Sequence, residues 1–451
     1  IDVSSHFPHS AVDPVLFRCS FFVQKKNRFC KMVPGKGRSF CGEHATMEEG
    51  VGDSRRITCP LDPKHTVAQQ NLEKHLKKCN SREKPRPVYY VENINAGRVD
   101  RDQELSSLAE RSRADLESLV EKLKAAAEGL QQDMEDRTLS HPVLQEELSD
   151  PKNGGSAHKH LKQQASLLGH LQELGLLSRG RCFVEFGAGR GKLSHWIHRA
   201  LQNPEDLQLL LVERCSTRFK VDGKHQGSAD PFERLRVDIQ HLDLSKVPVL
   251  REKALPLVGV GKHLCGAATD LALRCLLDTA GARPDTQPLP KRLRGPEPGS
   301  GTGPVLGLAV ALCCHHRCEW RHYVGQQFFL QRGLGPTEFS AFCRMSSWAT
   351  CGPPANHSRA ASQSGAANQS GAAEDHEEVE RLAALSRFWS AAEREHLGRL
   401  CKLLIDSGRR DFLRTRGFSS RLIGYIDAEV TLENVLLTAL PCSGSCPEPA
   451  A

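Results

Sequence analysis

Residues 183–196, FVEFGAGRGKLSHW, limit the fold more than any other stretch of the chain. An apolar run ends at Phe186, glycines follow at alternate positions, and a helix-forming segment starts at Lys192. Glycine tolerates positive φ and lets the main chain approach a ligand closely. Such a turn suits the loop between a buried strand and the helix after it. Further short apolar runs follow: LQLLLVER (207–214), LRVDIQHLDL (235–244), PLVGVGKHLCG (256–266) and VLGLAVALCC (305–314). Helical stretches separate most of them, and this alternation predicts an α/β domain whose parallel sheet is covered on both faces. An amphipathic helix over 156–178, ending at Gly175 or Gly180, precedes the first strand. A helix over 378–407 and the segment IGYIDAEVTLENVLLTAL, read as the last two strands, complete a domain spanning 150–442. Segments 281–304 and 352–372 have the Pro/Gly/Ser/Ala-rich composition of disordered inserts.

The glycine spacing separates two cofactor classes. A dinucleotide fingerprint requires its third glycine at 192, where the chain has Lys192. Glu185-x-Gly187-x-Gly189-x-Gly191 is instead the pattern of class I, Rossmann-like methyltransferases that bind S-adenosylmethionine. On this reading Glu185 accepts from the amino group of the cofactor, directly or through water. Glu213, ending the second strand, takes the ribose hydroxyls. Asp238, with Asp243 as the alternative, meets the adenine amine. The fourth run ends in GVGKHLCGAATD, and substrate groups gather at such strand ends in doubly wound sheets. Methylases of exocyclic amines carry an Asn/Asp-Pro-Pro-aromatic run there; its absence points to an oxygen acceptor. A hydroxyl needs a base or a cation before it attacks. Lys262 and His263 are the candidates, with phosphate positioning or packing as the other reading of both. The group Cys313, Cys314, His315, His316 and Cys318 either binds a metal or lines the acceptor pocket.

The N-terminal part is governed by cysteine and histidine. The chain has 17 cysteines, an odd number with several at chelating spacings, which suits reduced thiols and zinc in the cytoplasm or nucleus. Cys19, Cys30, Cys41 and His44 form a CCCH-type module over 15–47, and FFVQKKNRF between the first two reads as a basic, aromatic strand pair. Cys59, His65, His75 and Cys79 form a CHHC-type finger over 57–80, with Thr66 capping a helix from Val67 to Lys78. Each set completes a closed, structural zinc shell, and modules this short depend on the ion to fold. Phe21, Phe22 and Phe29 serve either as module core or as stacking platforms for nucleotides. Between Arg18 and Arg86 there are 16 Lys or Arg against seven Asp or Glu, so this part accounts for more than the whole net charge of +7. A basic module on a near-neutral body suggests a polyanion partner. The stretch KPRPVYYVENINAG leads away from the fingers. Leu116, Leu119, Leu123, Leu130 and Met134 then run near heptad spacing through 101–137, read as a helical spacer packed on its own protein or a short coiled coil. No uncharged apolar run reaches the length of about 18 residues that a membrane span requires. KRLR at 291–294 is a candidate nuclear address.

Together, the Cys-Cys-Cys-His module, the Cys-His-His-Cys finger, VEFGAGRGKLS, GKHLCGAATD and CCHHRC resemble the eukaryotic tRNA ribose methyltransferase family acting on nucleotide four of the acceptor stem. The resemblance covers nearly the whole chain and implies 2′-O-methylation of a tRNA acceptor stem with S-adenosylmethionine, the fingers gripping the RNA. The Lys-Asp-Lys-Glu tetrad of many ribose methylases does not map onto the chain, because Lys262 stands where its Asp would be. The alternative reading is a non-catalytic zinc-finger RNA-binding adaptor, as in splicing, with a vestigial methyltransferase fold.

Overall fold

The computed structural model describes residues 18–23, 28–34, 38–41, 44, 56–79, 81–82, 85–97, 111–130, 134–202, 206–215, 231–278, 302–350 and 388–442, without the side chains of residues 56, 64 and 263. The chain divides into two compact units, Ile1–Arg86 and Pro87–Ala451.

The first unit holds two antiparallel hairpins. Strands β1 (Phe22–Val23) and β2 (Arg28–Phe29) pair Phe22 with Phe29, giving the expected basic, aromatic ribbon. Strands β3 (Arg56–Cys59) and β4 (Asp62–Ala68) form the second hairpin, with Thr66 opposite Thr58. Thr66 therefore sits in a strand and caps no helix. The β-branched residues Ile57, Thr58, Thr66 and Val67 favour a pleated pair over a helical turn. The helix is reduced to α1 (Leu72–Leu76).

The second unit is built on an eight-stranded sheet in the order β5-β11-β12-β10-β9-β6-β7-β8. Its strands are β5 (Met134–Asp136), β6 (Arg181–Phe186), β7 (Leu207–Val212), β8 (Phe232–Leu235), β9 (Leu257–Cys265), β10 (Val305–Cys313), β11 (Phe418–Gly424) and β12 (Val435–Pro441). Strands β6 to β10 run parallel, and β12 lies antiparallel between β10 and β11. The switch of strand order falls between β6 and β9, where a doubly wound sheet opens its ligand crevice. Alternate residues supply two cores. Phe183, Leu209, Leu211 and Val258 pack under helices α4 (Gly155–Glu173) and α5 (Lys192–Leu201). Val184, Leu210, Val212 and Val310 pack against α7 (Ala267–Asp278) on the other face. Short helices α3 (Gln145–Ser149), α6 (Pro248–Lys253) and α8 (Gln326–Leu330) lie between these elements in the chain.

Two features depart from the sequence reading, and a third, the helix within 101–137, decides between its two alternatives. The run 235–244 forms a strand only to Leu235, because Asp238 and Asp243 each accept a main-chain N–H two residues on and start 3-10 turns. The stretch read as leading away from the fingers is fastened to the second unit: Asn95 Nδ2 donates to the carbonyls of Ile239 (2.6 Å) and Leu242 (2.8 Å). Within 101–137, helix α2 (Arg113–Ala127) starts at a Ser112–Asp115 capping box. Its Leu116, Leu119 and Leu123 are buried in a third core with helices α9 (Pro336–Met345) and α10 (Ala391–Thr415). The apolar stripe is thus covered by the chain's own helices instead of a coiled-coil partner. Met134–Asp136 then joins the sheet beside β11, ahead of the boundary expected at 150. The inserts at 281–304 and 352–372 lie outside the described residues, apart from 302–304, and so does KRLR. Among the described residues no helix is long and apolar enough to cross a membrane.

Candidate active site and metal centres

The carboxyl ends of β6, β7, β8 and β9 border a cavity of about 940 Å³. Its floor is the turn from β6 into α5. Gly187, Gly189 and Gly191 all adopt positive φ there. A Cβ on Gly189 would meet nothing nearer than the Gly187 carbonyl at 4.0 Å, whereas one on Gly191 would stand 2.6 Å from Leu211 Cδ2. Gly189 therefore faces open space and Gly191 the core.

The acids expected at successive strand ends line this cavity. Glu185 is buried, and its carboxylate accepts from the amide (3.0 Å) and hydroxyl (2.5 Å) of Ser194. Burial raises its pKa to about 7 against the opposing pull of Ser194. Ser194, at the start of α5, had no signal in the sequence, yet it takes up an oxygen expected to face the cofactor. Glu213 accepts from the amides of Gly189 (3.0 Å) and Cys215 (2.9 Å), which ties β7 to the glycine turn. Asp238 stands on the rim, with Arg214 Nη1 3.6 Å from its carboxylate. Asp243 does not line the cavity; its carboxylate turns to Ser245.

Lys262, on β9, is buried in the same wall. Its pKa is lowered to about 8, first by burial and then by the charge of Lys192, with Glu185 and Cys313 opposing. Its Nζ lies 3.0 Å from Nδ1 of His160 on α4. Burial, followed by Lys262 and Lys192, lowers the pKa of His160 as well. His160 escaped the sequence reading because it sits 102 residues from Lys262 inside an amphipathic helix pattern. The side chain of His263 lies outside the described residues.

The CCHHRC segment splits between two surroundings. His315 is buried with Nε2 2.9 Å from the Asp406 carboxylate, and Arg409 bridges Asp406 (2.9 Å) and Asp270 (2.7 Å). Arg409 also donates to Cys318 Sγ at 3.2 Å. This network knits α7 and α10 to the end of β10. His316 is exposed, and Cys313 and Cys314 turn towards Cys265. The five residues thus do not converge on one ion.

In the first unit the two quartets do converge, each with all ligand atoms within 4.8 Å of one another. Ligands of a tetrahedral zinc ion stand about 3.8 Å apart for S and S, 3.6 Å for S and N, and 3.3 Å for N and N. Cys59 and Cys79 sulfurs are 3.8 Å apart, Cys79 Sγ and His65 Nε2 3.7 Å, and His65 and His75 Nε2 3.0 Å. Cys41 and Cys19 sulfurs lie 3.3 and 3.4 Å from His44 Nδ1, and Cys30 and Cys41 sulfurs 4.0 Å apart. Both sets fit zinc. Asp62, which the spacing did not point to, holds His65 Nδ1 at 3.4 Å and so orients the ring. Phe21 stacks on His44 with ring centroids 3.9 Å apart, while Phe22 and Phe29 are exposed and meet edge to face at 5.3 Å.

A parallel sheet with its last strand inserted antiparallel, a glycine turn under an open cavity and acids at consecutive strand ends define a class I S-adenosylmethionine-dependent methyltransferase, here joined to two zinc-finger modules. The family described as "Methyltransferase TRM13" matches residues 162–440. "CCCH zinc finger in TRM13 protein" matches 18–45, and "U11-48K-like CHHC zinc finger" matches 56–80. The chain is 50% identical over 466 residues to the tRNA:m(4)X modification enzyme TRM13 homolog of Mus musculus, covering 96% of each chain. It is 49% identical to the Homo sapiens homolog, covering 99% of each. With the Schizosaccharomyces pombe enzyme it shares 31% identity over 85% of this chain and 95% of that one. The chain belongs to the TRM13 methyltransferase family.

Proposed function

We propose that this protein methylates the ribose 2′-hydroxyl of the fourth nucleotide in a tRNA acceptor stem. The observation that carries the reading is Lys262, an amine held near pKa 8 in the wall of the cofactor cavity. A ribose hydroxyl is a weak nucleophile, and removing its proton as it attacks is the task a partly neutral lysine can perform. Bound S-adenosylmethionine supplies a methyl group on a sulfonium. The Lys262 amine takes the hydroxyl proton, and His160 at 3.0 Å steers that amine. Glu213 and Asp238 orient the ribose and adenine, the open side of Gly189 admits the cofactor, and buried Glu185 braces the turn through Ser194. His263, next along β9, is the second candidate base.

The quartets Cys19/Cys30/Cys41/His44 and Cys59/His65/His75/Cys79 hold one structural zinc each. The basic surface of this unit, including Lys74, Lys77 and Lys78, meets the phosphates, and the exposed Phe22–Phe29 pair offers a stacking face. The relatives named as tRNA:m(4)X modification enzymes support tRNA and the position. The test is mass spectrometry of nucleosides from tRNA treated with the protein and labelled cofactor. A label on the ribose 2′-oxygen of a nucleoside is expected, and nuclease fragments of the same tRNA should carry it at position four. A label on a base, or none, overturns the reading.

A further inference from the structure

Strands β9 and β10 run parallel, and Cys265 and Cys313, the last residues of each, are register partners. Their sulfurs are 3.6 Å apart. The chain after β10 enters the left-handed region at Cys314, with φ +51°, an uncommon conformation for a residue with a side chain. That turn brings a third sulfur to the group, and all of them lie within 4.8 Å of one another. None of these cysteines is in a disulfide. The separation matches the sulfur pairs of the two fingers, 3.8 Å for Cys59 and Cys79 and 4.0 Å for Cys30 and Cys41. It also matches the edge of about 3.8 Å that tetrahedral zinc thiolates require. The Cys314 amide donates to Glu433 at 3.3 Å, which sets a carboxylate next to the group. The other oxygen of Glu433 receives Lys402 at 2.8 Å.

We infer that Cys265, Cys313 and Cys314 form a third metal site, a three-thiolate shell for a zinc-class divalent cation. Three protein ligands leave one position for water, the arrangement of an accessible zinc site and not of a closed finger. The ion clamps the ends of β9 and β10 against each other. Cys265 also lines the cofactor cavity, so the clamp stiffens the wall that carries Lys262.

The test counts metal in the intact chain. Reduced full-length protein is equilibrated with buffered micromolar zinc, desalted, and analysed by elemental mass spectrometry. Three zinc ions per chain are expected, falling to two in the Cys265→Ser/Cys314→Ser variant. Two in the wild type, or three in both proteins, overturns the site. A misfolded variant does not void the test, because alkylation of the wild type reads the same sites. Peptides carrying Cys265, Cys313 and Cys314 should label more slowly with zinc than after chelation, and equal labelling overturns the proposal.

Discussion

Gly189 and Gly191 sit two residues apart in one turn with the same hand of backbone, yet alanine should harm them in different ways. Both positions have positive φ, so a Cβ costs about 1–2 kcal/mol at either. Alanine also restricts the unfolded chain, which returns about 0.4–1 kcal/mol. Gly189→Ala should thus destabilise by about 1 kcal/mol, since its Cβ meets open space. At Gly191 the Cβ falls 2.6 Å from Leu211 Cδ2, in a core side chain that is 1% exposed. Overpacking of this kind adds about 1–3 kcal/mol, for a total of about 2–4. For a large domain the difference appears as roughly 2–4 °C in melting temperature per kcal/mol. Cofactor binding should rank the other way. On the proposed reading a Gly189 methyl would take up space the cofactor needs beside the main chain, and a loss of about tenfold in affinity, 1.4 kcal/mol, is expected. Scanning calorimetry and titration calorimetry with S-adenosylmethionine read the two effects separately. If Gly189→Ala melts as early as Gly191→Ala and binds cofactor at wild-type strength, the open side of the turn is not the cofactor cradle.

The lowered pKa of Lys262 means that the amine is neutral above about pH 8 and protonated below it. Turnover at saturating tRNA and cofactor should rise about tenfold per pH unit below 8 and level off above, and Lys262→Ala should be low and lack that rise; a wild-type profile in the variant removes Lys262 as the base. Cys59→Ala or Cys79→Ala should unfold the CHHC finger and weaken tRNA binding in gel-shift titrations while cofactor affinity stays near wild type, and parallel loss of both would contradict separate folding of the units. Asp270→Ala leaves the buried Arg409 charge with one partner fewer and should cost about 3–5 kcal/mol, read as a lower melting temperature. A shift under one degree would show that the network contributes little.

What could be read from the chain was whatever lies close in sequence. The glycine turn, Glu185 within the end of β6, Glu213 one residue past β7, and the chelating quartets are local patterns, and the structure brings each set together. What could not be read depends on register between distant segments. Lys262 on β9 meets His160 on α4 across 102 residues of chain, and Cys265 meets Cys313 because two parallel strands end level. Neither pairing leaves a period or a spacing. Side-chain capping misled in both directions. Asp238 and Asp243 start turns where the apolar run predicts more strand, and Thr66 pairs in a hairpin where the spacing predicts a cap. The heptad-like leucines of α2 mark an apolar stripe, but periodicity does not say whether a stripe meets its own chain, as this one does, or a second one.

Strand β5 is three exposed residues long, yet it occupies the outer margin of the sheet, where Met134 to Asp136 pair with Leu422 to Gly424. A row of free amides and carbonyls at such a margin invites pairing with another polypeptide. A truncated enzyme beginning at residue 150 would keep every catalytic candidate and lose this short selvedge. It would also strip α2 from Phe339 and Phe342, uncovering an oily surface. Such a fragment is expected to clump at concentrations where one beginning at residue 111 stays dispersed, so the practical limit of the catalytic body lies well upstream of its glycine turn.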